Sequence, residues 1–301
     1  MSRCLEDVLS IPIDYPNYIQ LEDMNQSFLD PLSDLNLGLE KRDNRYLHIE
    51  DLKRPERPVV IEPLKKLLEF IEKRKLRDVV RGARACVTGP FTLSSQVEKE
   101  GLTGRFFKGS IIQDIGLVEQ MAEVVSRVAY FYGEEGSTFI NIDEPILSLV
   151  VGRKFLFDEY TEDLVIKILD TSIGRVKTPT GIHVCGTLST NLMNILCQSE
   201  IDVLDHEFYD CRRNLNIFTK RDLERHDKKI SFGSLSSKQK RVEPEEEVEA
   251  FMRVGLRTFG EENILFFKPD CGFRGLGTNS AETYEITIEK LRNLKRAKDR
   301  L

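Results

Sequence analysis

From about residue 60 onward, apolar positions along the chain change period again and again, between two and three-to-four residues. Leu64, Leu67, Leu68, Phe70 and Ile71 recur at a helical spacing and predict a helix over Glu62–Lys75. The same argument, from Ile115, Val118, Met121, Ala122, Val125 and Val128, predicts one over Ile112–Tyr132. Further helices are expected at Leu5–Leu9, Asp158–Ser172, Ser189–Gln198, Thr219–Arg225 (with Thr219 as N-cap), Pro244–Phe259 and Ala281–Lys298. Between them lie short β-rich runs at 83–89, 137–142, 180–184, 201–207, 229–233 and 264–268, and a seventh is expected near Ile11–Tyr15. Strands alternating with helices imply a parallel sheet covered on its faces. No Gly-x-Gly-x-x-Gly follows the first of these strands, so the expected fold is an α/β barrel of the (β/α)8 type, not a doubly wound sheet. One domain over residues 1–301 is expected. The polar stretch 34–63 reads as an excursion holding a small hairpin through Tyr46–Ile49 and Val59–Ile61.

In such a barrel the chemistry sits at the C-terminal strand ends. The run 180–184 leads into His183-Val184-Cys185-Gly186, and residues two apart on a strand face the same way, so His183 and Cys185 can converge. The run 201–207 sets Val203, Asp205 and Glu207 on one face, with Glu207 at the tip. The run 264–268 delivers Lys268-Pro269-Asp270-Cys271-Gly272, where the proline ends the strand and the glycine is expected to permit a tight turn. One imidazole, two thiols and a carboxylate on one rim are a donor set that suits tetrahedral zinc; a buried, inert His–Cys pair is the competing reading. The run 137–142 ends in Asp143-Glu144-Pro145, two carboxylates able to bind an ammonium group or to act as acid and base, or else to cap the next segment. Cys4, Cys86, Cys197, Cys211 and His206 read as packing residues.

Composition narrows the function class. Hydrophobic residues make up 40% and charged residues 31%, which is globular. A formal net charge of −6 gives no support to nucleic-acid binding. No apolar run reaches the ~20 residues that span a bilayer, and no signal peptide is visible at the N-terminus, so a cytoplasmic, reducing setting is expected. Six cysteines are then thiols or metal ligands rather than a disulfide framework.

Five stretches, Val87-Thr88-Gly89-Pro90, Ile142 through Ser148, His183-Val184-Cys185-Gly186, Asp202 through Phe208 and Pro269-Asp270-Cys271-Gly272, resemble in order and spacing the catalytic domain of cobalamin-independent methionine synthase, especially its short archaeal homologues. The resemblance implies that His183, Cys185, Glu207 and Cys271 hold Zn2+, that Asp143 (with Glu144 beside it) binds the substrate's amino group, and that a zinc-activated homocysteine thiol takes up a methyl group to give methionine. Two thiolates and a carboxylate around the ion would leave one excess negative charge, which keeps the sulfur nucleophilic.

The chain also departs from the family pattern. The N-terminal half that serves a folate donor has no counterpart, so the resemblance implies methylcobalamin or another methyl-corrinoid, free or on a corrinoid protein, as donor. The family's proton-donating histidine is replaced by Gly233-Ser234-Leu235-Ser236-Ser237, and its substrate-binding glutamate falls near Tyr18. The family's first strand has no counterpart before Ser10, so a barrel lacking that strand is expected. Related readings are thiol alkylation of the coenzyme M type and a non-catalytic barrel with a structural zinc.

Overall fold

The computed structural model describes residues 2–103, 106–107, 109–277 and 281–301. Nine strands form in chain order: β1 (Leu39–Arg42), β2 (Arg45–His48), β3 (Arg84–Thr88), β4 (Val97–Glu98), β5 (Phe139–Asp143), β6 (Thr180–Val184), β7 (Val203–His206), β8 (Lys229–Leu235) and β9 (Ile264–Pro269). Six of them make one parallel sheet, ordered β3-β5-β6-β7-β8-β9. That order follows the chain without reversal, so the sheet has no switch point of the doubly wound kind.

The sheet is rolled, and two contacts prove it. Flat strands lie about 4.8 Å apart, which would place β5 and β9 roughly 19 Å from each other. Yet the rings of Phe139 on β5 and Phe266 on β9 are 5.1 Å apart, edge to face. Likewise Arg84 on β3 reaches Asp205 on β7 at 2.8 Å. The inward side chains therefore meet across an interior, as the barrel fold requires.

On the β3 side the ring is continued by backbone pairing without a regular strand. Asn17 bridges Arg84 in parallel, Pro16 O accepts from Arg84 N–H at 3.0 Å, and Asp14 O accepts from Arg81 N–H at 2.8 Å. The strand expected at Ile11–Tyr15 does not form, because Pro12 and Pro16 lack the N–H groups a ladder needs. Between this segment and β9 no further strand lies among the described residues. Side chains and helices close the gap instead. Tyr15 packs on Phe266 at 5.1 Å, the closing helix Ala281–Lys298 lies against β8 and β9, and Tyr284 of that helix donates to Asp7 of the first helix at 2.6 Å.

The 34–63 excursion does contain a hairpin, but β1 pairs with β2 rather than Tyr46–Ile49 with Val59–Ile61. The turn residues Asp43 and Asn44 both take positive φ, 47° and 60°, which is the geometry that tight hairpins favour. The charged run Leu39-Glu40-Lys41-Arg42 hid β1 from a reading of apolar alternation. Elsewhere the helix boundaries shift by a turn or less. Asp114 caps Ile115–Glu135 and Gly136 ends it at φ 116°, while Thr219 and Asp222 form a reciprocal capping box.

A buried ion pair ties the closing helix to the loop after β8. Lys290 donates to Glu243 at 2.6 Å and to Ser236 O at 3.0 Å, and both side chains are essentially inaccessible. Removing one partner strands a charge in the interior, so Lys290→Met is expected to lower unfolding free energy by about 3–5 kcal/mol. Urea unfolding of this variant and of Lys290→Met/Glu243→Leu checks it, the double variant being expected to recover most of the loss.

Candidate metal centre

β6 aims His183 into the barrel, and Cys185 follows two residues later on the same side, where Gly186 at φ 79° turns the chain away. Cys271 arrives from the end of β9. The imidazole Nε2 lies 3.2 Å from Cys185 Sγ, and the two sulfurs are 3.7 Å apart. The ligating atoms of His183, Cys185 and Cys271 all fall within 4.8 Å of one another. Gly272, expected to need special freedom, has φ −63° and ψ 150°, so the turn after Cys271 makes no demand for glycine.

Asp205 sets the orientation of this group, a role that the sequence did not disclose. Its Oδ1 meets His183 Nδ1 at 2.7 Å and Lys268 Nζ at 2.8 Å; its Oδ2 accepts from Arg84 at 2.8 Å and Ser231 at 3.1 Å. Although burial opposes the charge, Lys268 and Arg84 hold this carboxyl well below the usual carboxylate range. A carboxylate on Nδ1 fixes the ring so that Nε2 faces the two sulfurs. The available signal was positional: Arg84, Asp205 and Lys268 are charged residues at inward positions of predicted strands.

The hydrogen bond between Cys185 and Cys271 lowers the Cys271 thiol, with His183 adding to the effect against burial. Its partner Cys185 is pushed up by the same hydrogen bond and by burial. Burial and Lys268 work against a protonated His183, but Asp205 and Cys271 prevail and raise it to about 10.

Glu207, at the end of β7, stands outside the three-residue group although its charge acts on Cys185. Its Oε2 accepts from Lys238 at 2.7 Å, with Cys211 Sγ at 3.5 Å, while its Oε1 is buried and has no hydrogen-bond partner among the described residues. Cys211, read from sequence as packing, thus lies beside the site. The segment after Glu207 is anchored by Asp270, which accepts from the N–H groups of Phe208, Tyr209 and Asp210 at 2.9, 3.0 and 2.6 Å. Burial pushes this carboxyl up to about 6. One aspartate therefore fixes the approach of both Glu207 and Cys271.

Asp143 pairs in register with His183 across β5 and β6, accepts from Asn141 at 2.7 Å and is raised by burial. Glu144 does not share its setting. It is fully buried, and its carboxylate accepts from Phe91 N–H at 2.8 Å, Thr92 N–H at 2.9 Å and Thr92 Oγ1 at 2.6 Å. A Cβ on Gly89 would come within 2.2 Å of Glu144 Oε1, so the glycine makes room for this interaction. Glu144 is thus enclosed and fastens the turn after β3, a setting different from the one expected for a substrate-binding partner of Asp143. His206 stacks on Phe218 at 5.5 Å and is lowered by burial to about 3, as a packed residue should be. Tyr18 is buried with its hydroxyl donated to Cys86 O at 2.5 Å, so it does not stand in for the family's glutamate.

The residues present fit a tetrahedral ion. An imidazole nitrogen and two sulfurs already converge, and Glu207 Oε1, buried with no hydrogen-bond partner among the described residues, is the fourth candidate donor. A (β/α) barrel carrying an imidazole–thiol cluster on its C-terminal rim is the class that fold and site define.

The cobalamin-independent synthase catalytic domain family matches residues 79–299, and the chain belongs to it. Among curated relatives, "Methionine synthase" of Methanothermobacter thermautotrophicus is 30% identical over 217 residues, covering 72% of this chain and 63% of its own length. That of Methanocaldococcus jannaschii is 28% identical over 250 residues, covering 75% and 71%. The match thus spans about two thirds of these relatives. Among solved structures, a B12-independent methionine synthase from Shewanella in complex with selenomethionine superposes with a TM-score of 0.71 at 19% identity, covering 99% of this chain and 85% of that one. A methyltransferase from Methanosarcina mazei gives 0.62 at 15%, covering 98% and 83%. These likenesses show the same barrel fold. The family description is cobalamin-independent and lends no support to the expected methyl-corrinoid or corrinoid protein as donor. No helix among the described residues is long and apolar enough to cross a membrane.

If Asp205 orients the imidazole, Asp205→Asn should weaken zinc binding by about 10–100-fold. Competition with a chromophoric chelator measures this directly; an unchanged affinity would remove Asp205 from the metal centre.

Proposed function

We propose that this protein is a zinc-dependent methyltransferase that converts the thiol of homocysteine into the thioether of methionine. The convergence of His183, Cys185 and Cys271 at the strand ends, with Asp143 one strand along, carries the reading. His183, Cys185, Cys271 and Glu207 are the residues that would hold Zn2+. Bound there, zinc supplies Lewis acidity that makes an incoming thiol a thiolate near neutral pH.

The protein's own residues account for the rest. Asp143 offers a carboxylate beside the cluster, suited to an α-ammonium group, and Asn141 steadies it from below. Asp205 holds the imidazole in place. In the overall reaction the thiol gives up its proton, its sulfur forms the new S–CH3 bond, and the bond between the methyl group and its donor breaks with the electron pair leaving on the donor. Membership in a methionine synthase family and relatives of that name support homocysteine as the acceptor.

A sulfonate thiol of the coenzyme M type fits less well. The cations that reach the site, Arg84, Lys268 and Lys238, are each already paired with a carboxylate, whereas Asp143 presents an anion. A purely structural ion would ignore added thiol.

Zinc X-ray absorption with and without homocysteine tests the assignment. Two sulfur neighbours rising to three on addition of homocysteine are expected, and a spectrum unmoved by the thiol would sink the methyltransferase reading. Asp143→Asn should raise KM for homocysteine about 10-fold or more, by loss of a charge-assisted hydrogen bond, and should leave uptake of a thiol lacking the amino group unchanged. Steady-state kinetics with both acceptors, in the presence of a competent methyl donor, separates the two effects.

A further inference from the structure

The two oxygens of Glu207 live in different surroundings. Oε2 is held by the Lys238 ammonium at 2.7 Å, and Oε1 is buried with no partner among the described residues. The Lys238 side chain is half exposed, yet its backbone is firmly placed. Ser236 Oγ donates to Asp210 Oδ2 at 2.7 Å and accepts from the N–H groups of Lys238 and Gln239 at 3.1 and 3.0 Å. Gln239 donates to Asp210 Oδ1 at 3.0 Å. Glu243 accepts from Ser236 N–H at 3.2 Å and is itself held by the buried Lys290. The loop after β8 is thus fastened on both sides of Lys238, and Asp210 lies just three residues beyond Glu207.

We propose that Lys238 is a positioning residue: by occupying Oε2 it makes Glu207 present a single oxygen, Oε1, to the metal. The inference rests on the zinc reading above. A carboxylate with both oxygens free can swing between one-oxygen and two-oxygen ligation, and the second mode fills a place that an incoming thiol needs. Lys238 removes that choice. It also offsets the excess negative charge of two thiolates and a carboxylate around Zn2+, so the site with Lys238 is formally neutral.

The sign of the effect separates positioning from mere charge balance. Taking away a cation lowers the repulsion felt by Zn2+, so a counter-ion and nothing more would give tighter zinc binding once removed. Loss of an orienting partner gives weaker binding, typically by 10–100-fold. The experiment measures zinc affinity by chelator competition for wild type, Lys238→Met and Lys238→Arg, together with the visible spectrum of the Co2+-substituted proteins. Expected are a loss of about 10-fold or more in Lys238→Met, a weaker Co2+ absorption band signalling a coordination number above four, and recovery of both in Lys238→Arg. Unchanged or tighter binding in Lys238→Met, or a Co2+ spectrum like that of wild type, would overturn the proposal. A wild-type protein that takes up neither ion would instead defeat the metal reading itself, and this inference with it.

Discussion

Asp205 is the charge on which the interior depends. It sits on the middle of the sheet with no solvent access, and it is paired with cations from both of the sheet's outer strands, Arg84 on β3 and Lys268 on β9. Two cations brought into a barrel interior are costly unless an anion meets them, and one anion meets both. The same carboxylate then fixes the orientation of the His183 ring. A single buried residue therefore links the closure of the sheet to the chemistry at its rim.

Around that centre the site is assembled from three strands, each with its own support. Cys185 is released from β6 by a left-handed glycine, Glu207 and Cys271 share the anchor Asp270, and Glu207 is further held by a lysine from the loop after β8. Methyl transfer to a thiol, the reaction proposed here, asks for this rigidity. The reacting sulfur has to be held deprotonated and in line with a methyl group, and misplacement of an ångström is costly. Asp143 stands beside the cluster but is not spent on the fold, whereas its neighbour Glu144 is wholly spent on it. Adjacent carboxylates point to opposite sides of a strand end, and that alternation divides their roles.

Much of this was legible in the residues. The alternation of strand and helix periods gave the barrel, because burying a parallel sheet on both faces requires that alternation. The pairing of His183 with Cys185 followed from strand periodicity, and the positions of Glu207 and Cys271 from the rule that barrel chemistry sits at strand ends. Hairpin register was not legible: β1 is mostly charged, and its turn uses Asp43-Asn44 where glycine is the usual signal. Nor was the failure of Ile11–Tyr15 to form a strand foreseen, although Pro12 and Pro16 announced it.

The sequence by itself determined the element pattern, the barrel class and the placement of His183, Cys185, Glu207 and Cys271 at strand ends, since each depends on local periodicity and on side-chain chemistry. Only the tertiary structure decided that Asp205 governs His183, that Glu144 belongs to the scaffold, and that Lys238 closes on Glu207. Those pairings join residues that lie 22, 52 and 31 positions apart. Which side chains meet at such separations is set by how the sheet rolls and where its loops land, and no periodicity within one element encodes that.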